Sequence, residues 1–234
     1  MNIAIMQPYL FPYIGYFQLM NAVDEFIVYD NIQFTKKGWI NRNRILVNGT
    51  DSYITLPLKK DSDYLDVKDR YLSDDWKNES KKMLNRITEC YRKAPYFESV
   101  FPLIEKSLLF DDNQLFNFIF NSLNLTKDFL DIKTSFVISS TIPINHQYKS
   151  TEKVIALCKN QNATTYINPI GGVELYNKEE FKKEGLELKF IKANEIIYPQ
   201  FENDFIPYLS IIDVMMFLSK ENIKKLINTE FDLI

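Results

Sequence analysis

The stretch "NIAIMQPYLFPYIGYFQLMNAVDEFIVYD", residues 2–30, decides the fold. Its opening "NIAIM" is a short apolar run stopped by Pro8, the mark of a buried strand. "GYFQLMNAV" then sets Phe17, Met20, Ala22 and Val23 on overlapping turns of a helix. "EFIVYD" is a second β-rich run. Strand, loop, helix and strand in this order make a βαβ unit, which predicts a parallel sheet. Right-handed crossovers place the loop after each strand on one edge of such a sheet, and ligands bind at that edge. "QPYLFPY" at 7–13 and "DNIQFTKKGW" at 30–39 are therefore expected to face one crevice.

Outward from that unit, "RILVNG" and "TDSYITLPL" read as an antiparallel hairpin turning at Asn48-Gly49. From Asp74 to about residue 131 the pattern becomes helical. "DDWKNESKKMLNRITECYRKA" takes its cap from Asp74 or Asp75 and stops at Pro95, and "NQLFNFIFNSLNLTKDFL" is a buried helix. "TSFVISS" returns to strand. "KSTEKVIALCKNQ" is an amphipathic helix with Val154, Ile155, Leu157 and Cys158 as its apolar side. Ser150 or Thr151 is expected to cap it, the other reading being a phosphate contact from Lys149 and Ser150. "TTYINP" is strand, "GGVELYNKEEFKKEG" a helix ended by Gly185, "LELKFIKA" strand, and "LSIIDVMMFLSKENIKKLI" a closing helix. The expectation is a single α/β domain over residues 1–234, a parallel-sheet Rossmann-like core with a β-hairpin and a helical insertion near 74–131.

The chain has 234 residues and a net charge of −3, so it carries no basic field to hold nucleic acid, and it shows no helix-turn-helix or RRM pattern. Cys90 and Cys158 lie far apart with no C-x-x-C spacing, which argues against a structural zinc site and for free thiols in a reducing cytoplasm. The first twenty residues lack a basic leader, and Pro8 and Pro12 interrupt their apolar run, so no signal peptide is expected. No stretch has the length and apolarity of a membrane-spanning helix. Fourteen Tyr and eighteen Phe favour a ring-rich interior and a pocket that stacks a flat or sugar-like ligand.

Two stretches concentrate chemistry. Gln7, Tyr9, Tyr13 and Tyr16 surround two prolines and Gly15, whose missing side chain permits close approach. Asp30 ends a strand, and Gln33, Lys37, Trp39, Asn41, Arg42, Asn43 and Arg44 follow it. Guanidinium forks suit phosphate and carboxylate bidentately. Lys59 is placed to reach the same crevice, or to be a solvated charge. His146 is the one histidine, and a lone histidine is a candidate general base. Gly171 and Gly172 stand between a strand and a helix, where an anion can approach. No H-E-x-x-H, G-x-S-x-G or metal-spaced carboxylate motif appears.

These residues resemble the WbqC-like protein family. The likeness rests on "QPYLFPYIGYFQLMNAVDEFIVYDNIQFTKKGWINRNRI" at 7–45, "YRKAPYF" at 91–97, "YINPIGGVELY" at 166–176 and "LSIIDVMMF" at 209–217. It implies a bacterial, cytoplasmic, small-molecule role in gene clusters for O-antigen and capsule sugars or for natural products. A more distant similarity joins Pro12, Gly15-Tyr16 and Asn31-Ile32-Gln33-Phe34 to adenylate-forming enzymes of the nucleotidyltransferase superfamily, pantothenate synthetase among them. That likeness implies ATP or an acyl donor, although Tyr16 stands where a signature histidine is expected.

The resulting expectation is a transferase or ligase that forms an amide on an amino sugar or nucleotide-linked sugar, a substrate bearing phosphate or carboxylate. Asp30 or His146 would accept the amine proton. Arg42, Arg44 and Lys37 would hold the anion, Gln33, Asn41 and Asn43 would read hydroxyls, and Trp39 and Tyr9 would stack on the ligand. The alternative is a non-catalytic module that binds a nucleotide sugar or a partner enzyme.

Overall fold

The computed structural model describes residues 1–234. The βαβ unit is present: β1 (Asn2–Met6), α1 (Ile14–Asn21) and β2 (Glu25–Val28), with β1 and β2 parallel. β3 (Arg42–Val47) and β4 (Thr50–Thr55) form a separate antiparallel hairpin. Its two turn residues, Asn48 at φ 49° and Gly49 at φ 77°, both adopt the left-handed conformation that a tight hairpin turn requires.

Three helices follow, α2 (Trp76–Tyr91), α3 (Phe97–Leu108) and α4 (Leu115–Phe129). The chain then returns to the sheet as β5 (Ser135–Ile138), α5 (Ser150–Asn160), β6 (Thr165–Pro169), α6 (Lys178–Lys183) and β7 (Glu187–Ala193). α7 (Ile211–Phe217), α8 (Lys220–Thr229) and β8 (Phe231–Leu233) complete it.

The main sheet has the order β5-β2-β1-β6-β7-β8, parallel except for the edge strand β8. The chain builds outward from β1 through β2 to β5, then crosses back to β6 on the other side of β1. Strand order reverses between β1 and β6, which makes the carboxyl edge there the expected place for a ligand.

Both faces of the sheet are covered, as parallel sheets require. Alternation along the strands divides the core. Ala4, Phe26 and Val28 face the larger apolar cluster, beneath α1, the hairpin and the C-terminal helices. Ile3, Ile5 and Ile27 face a smaller cluster built by α5 and α6.

Three local expectations are corrected and one strand is added. The closing helix is two helices, because Leu218 leaves helical geometry and the Ser219 side chain then accepts the Asn222 amide as a fresh N-cap. The helix expected from Gly171 begins at Lys178, where Asn177 caps the Glu179 amide, and Gly171 and Gly172 lie in a short 3-10 turn. No side chain caps α5: Lys149 occupies the cap position and Ser150 sits at φ 47°. β8 carries no strand signal of its own and owes its conformation to pairing with β7.

Candidate functional site

The polar residues at 33–44 mostly hold backbone. After β1 the chain runs irregularly through Gln7–Tyr13, and its buried carbonyls need donors. Asn43, 4% exposed, gives its amide hydrogens to Leu10 O (3.0 Å) and Phe11 O (2.8 Å), while its Oδ1 accepts the Arg44 amide. Asn41 donates to Leu56 O at 2.8 Å. Arg42 donates from Nε to Gly38 O (3.0 Å) and from a terminal nitrogen to Lys37 O, and its guanidinium lies 4.6 Å above the Tyr53 ring. Tyr16 is buried and donates to Gln7 O at 3.0 Å, and the Gln7 side chain accepts from Tyr9 at 3.3 Å. Burial raises the phenols of Tyr9 and Tyr16, with a neighbouring tyrosine adding to each.

The stretches at 7–16 and 30–44 open on two places, and in one of them residues of both stretches meet. One is a pocket of about 180 Å³, where Tyr9, Pro12 and Tyr13 meet Trp39, Asn43, Arg44 and Tyr208. Neither Gln7 nor Arg42 lines it. The other is an open cleft of about 680 Å³ at the carboxyl edge of the sheet. Tyr29, Asn31 and Gln33 enter it after β2, Ser140 and His146 after β5, and Tyr176 after β6. Lys59 belongs to neither and pairs with Asp74 at 2.8 Å. Lys37, at φ 62°, lines neither. Gly171 and Gly172 likewise lie outside both, and a side chain at Gly172 would collide with Asn168.

In the cleft, Asp30 lies behind the lining at 2% exposure. Its Oδ1 accepts from Ser139 Oγ (2.7 Å) and Ser140 N (2.9 Å), and its Oδ2 accepts from Ser140 Oγ (2.6 Å). His146 Nε2 sits 3.0 Å from Ile142 O, so this nitrogen carries the proton. Nδ1 then accepts the Asn31 amide at 2.9 Å. Both ring nitrogens are engaged.

Three charged residues absent from the sequence expectation complete the cleft: Lys153, Asp66 and Lys68. Lys153 is 6% exposed, donates to Asn31 O at 3.0 Å and stands 5.0 Å above the Tyr29 ring, with no carboxylate within ion-pair distance. Burial pushes its ammonium below the usual lysine range, while Asp66 and Asp30 pull it back up. Burial raises the Asp66 carboxyl, with Lys68 the leading opposing influence. Burial, with Tyr176 and Asp66 contributing, pushes the Tyr29 phenol up to about 12. Lys153 had a readable signal: it lies four residues before the buried Leu157, on the apolar side of α5. Asp66 had none, since it comes from an irregular segment joined to Gln33 by a single bridge.

No group of three or more His, Cys, Asp or Glu side chains is arranged to hold a metal ion. No helix is long and apolar enough to cross a membrane.

Fold and cleft together define an α/β protein built on a mostly parallel sheet, with a polar cleft at the strand carboxyl ends. More narrowly, the chain belongs to the WbqC-like protein family, whose model matches residues 7–225. It is 26% identical over 228 residues to a Mycobacterium tuberculosis protein described as "Uncharacterized protein Rv1507c", covering 94% of this chain and 95% of that one. No solved structure matches it.

Proposed function

We propose that the cleft is the catalytic site of a small-molecule transferase or ligase that forms an amide on an amino sugar or nucleotide-linked sugar. The observation that carries this reading is that Lys153 and Asp66 both line one open cleft. Burial weakens the hold of the lysine on its proton and strengthens that of the carboxylate. Opposed shifts of this kind mark acid–base sites.

In this reading the sugar's free amine attacks the carbonyl carbon of an activated acyl donor, supplied ready-made or formed with ATP. The C–N bond forms and the amine proton passes to the Asp66 carboxylate. The bond from the acyl carbon to its leaving oxygen or sulfur breaks, and the leaving group takes the electron pair. Asp66 takes the role expected of Asp30 or His146, because its carboxylate accepts no protein hydrogen bond, while the Asp30 oxygens and both His146 ring nitrogens are occupied. Lys153 and Lys68 would offset the negative charge that develops on the acyl oxygen and the leaving group. Asp30, through Ser139 and Asn31, would position the floor of the cleft.

The test begins with a thermal-shift screen of ATP, CoA esters and dTDP-, UDP- and GDP-sugars. Pairs that stabilise the protein are then incubated together and the products weighed by mass spectrometry. The expected result is an acylated sugar from wild type, and retained binding with product lost in Asp66→Asn. Saturable binding with no product from any pair would replace this reading with that of a binding module. Full turnover by Asp66→Asn would remove the proton acceptor assigned here.

A further inference from the structure

We infer that the aromatic pocket beside the hairpin is a second binding site, independent of the cleft, for a single six-membered ring that is apolar on its face and carries hydrogen-bond acceptors at its edge. The pocket and the cleft share no lining residue. At about 180 Å³ it is smaller than the several-hundred Å³ pockets of drug-sized ligands, and suits a single ring.

Its walls are rings left in water. Trp39 is 39% exposed, Tyr13 37% and Tyr208 69%. Tyr13 and Tyr208 meet edge-on at 6.3 Å, and Tyr53 stacks against Trp39 at 6.2 Å, which orients the indole. Ordered, exposed aromatic faces are binding surfaces for ring ligands.

Arg44 supplies the edge chemistry. One of its nitrogens pairs with Asp51 at 3.1 Å and another donates to Tyr208 O at 3.3 Å. Each of these terminal nitrogens carries a second N–H with no protein acceptor, and Arg44 lines the pocket, so these are the donors a ring's edge would meet.

The backbone around the pocket is held in unusual conformations. Phe11 sits at φ 41° and Tyr208 at φ 58°, left-handed geometry that bulky residues avoid. Asn43 and Ser210 hold Phe11 O, and Arg44 holds Tyr208 O. Strain maintained by several hydrogen bonds clusters at binding sites. A sugar ring and a pyrimidine nucleoside both present this chemistry.

The chain has two tryptophans, and Trp76 is buried, so the emission lost in Trp39→Phe belongs to Trp39. The full-length protein is titrated with methyl glucoside, glucuronate and uridine while fluorescence is followed. The expected result is saturable quenching or a blue shift of Trp39 emission by one of these probes, weakened about ten-fold or more in Arg44→Lys and in Tyr208→Ala. Saturation by the sugars alone assigns a pyranose, and by uridine alone a nucleobase. Lys153→Met, which alters only the cleft, should leave the titration unchanged. The inference is overturned if no probe saturates the signal, if both pocket variants titrate as wild type, or if Lys153→Met abolishes the response. Tyr208→Ala removes an exposed ring and tests the pocket even if Arg44→Lys fails to fold.

Discussion

Replacing Tyr91 by phenylalanine removes one hydroxyl from the most enclosed polar network in the protein. Asp213 is fully buried and no cation pairs with it. Its carboxylate is held by Tyr91 (2.7 Å) on one oxygen, and by Tyr198 and Gln200 (both 2.8 Å) on the other. The Tyr91 hydroxyl also accepts the amide of the buried Leu46 at 2.8 Å. Tyr91→Phe therefore leaves one buried N–H without an acceptor, a cost of about 1–3 kcal/mol. It also removes one hydrogen bond to an ionised group, about 1.5–3 kcal/mol. The sum, roughly 2.5–6 kcal/mol, is a large part of the 5–15 kcal/mol that holds a typical domain. Tyr198→Phe strands no backbone donor and leaves Gln200 on the same oxygen, so it should cost about 1.5–3 kcal/mol.

Urea unfolding of the three proteins measures this, read as a shift in midpoint at unchanged slope. Acidity adds a check of sign. Burial raises the Asp213 carboxyl, and the donors from Tyr91, Tyr198 and Gln200 oppose that rise. A carboxyl raised in the folded state contributes stability that is full below its unfolded value and lost as pH climbs through its folded value. Losing the Tyr91 donor raises the folded value further. The penalty of Tyr91→Phe should therefore shrink as the buffer is taken from neutral to mildly acid. A loss below about 1 kcal/mol, or a penalty that grows on acidification, would refute this account.

Lys153→Met should leave the melting temperature unchanged or raise it, because it removes a buried ammonium that no carboxylate contacts, while nucleotide-sugar binding in the cleft is lost; a large drop in melting temperature would make Lys153 a structural residue. Asn43→Ala takes the side-chain donor from the buried Leu10 carbonyl and should cost about 1–3 kcal/mol in urea unfolding. Asn43→Asp should cost more, since a carboxylate would face two carbonyl oxygens. The Cys158 thiol, buried and pushed up to about 12, should resist alkylation until the protein unfolds. Cys90, half-buried, should label first by peptide mass mapping.

The parallel core was legible because its signals are local. Pro8 ends β1, the apolar run of β2 follows α1, and Asn48-Gly49 fixes the hairpin turn. Interruptions that depend on a cap, such as Ser219 between α7 and α8, do not alter hydrophobic periodicity and so escape it. The cleft was half legible. Asn31, Gln33 and His146 come from the stretches that drew notice, but Lys153 and Asp66 meet only after the chain has crossed the sheet. Neither belongs to a spaced motif, and their chemistry arises from burial and mutual charge, which no window of sequence displays.

The same reasoning explains why the most conspicuous motif is not where the proposed chemistry sits. A loop of two prolines packed beneath a hairpin leaves backbone carbonyls in places water cannot reach, and only side-chain donors can satisfy them. Asn43 ends on two such carbonyls, those of Leu10 and Phe11, while Asn41 and Arg42 end on carbonyls of Leu56 and Gly38 outside the loop. "YRKAPYF" and "LSIIDVMMF" meet through two side chains, the Tyr91 hydroxyl donating to the Asp213 carboxylate. A polar residue whose donors all point at backbone has little left to offer a ligand. By that criterion the residues of interest are those that line a pocket with unfilled capacity: Asp66, whose carboxylate accepts no protein hydrogen bond; Lys153, which no carboxylate contacts; and Arg44, whose terminal nitrogens each keep an N–H without a protein acceptor. The first two open on the cleft and the third lines the aromatic pocket, so two separate surfaces retain the means to bind.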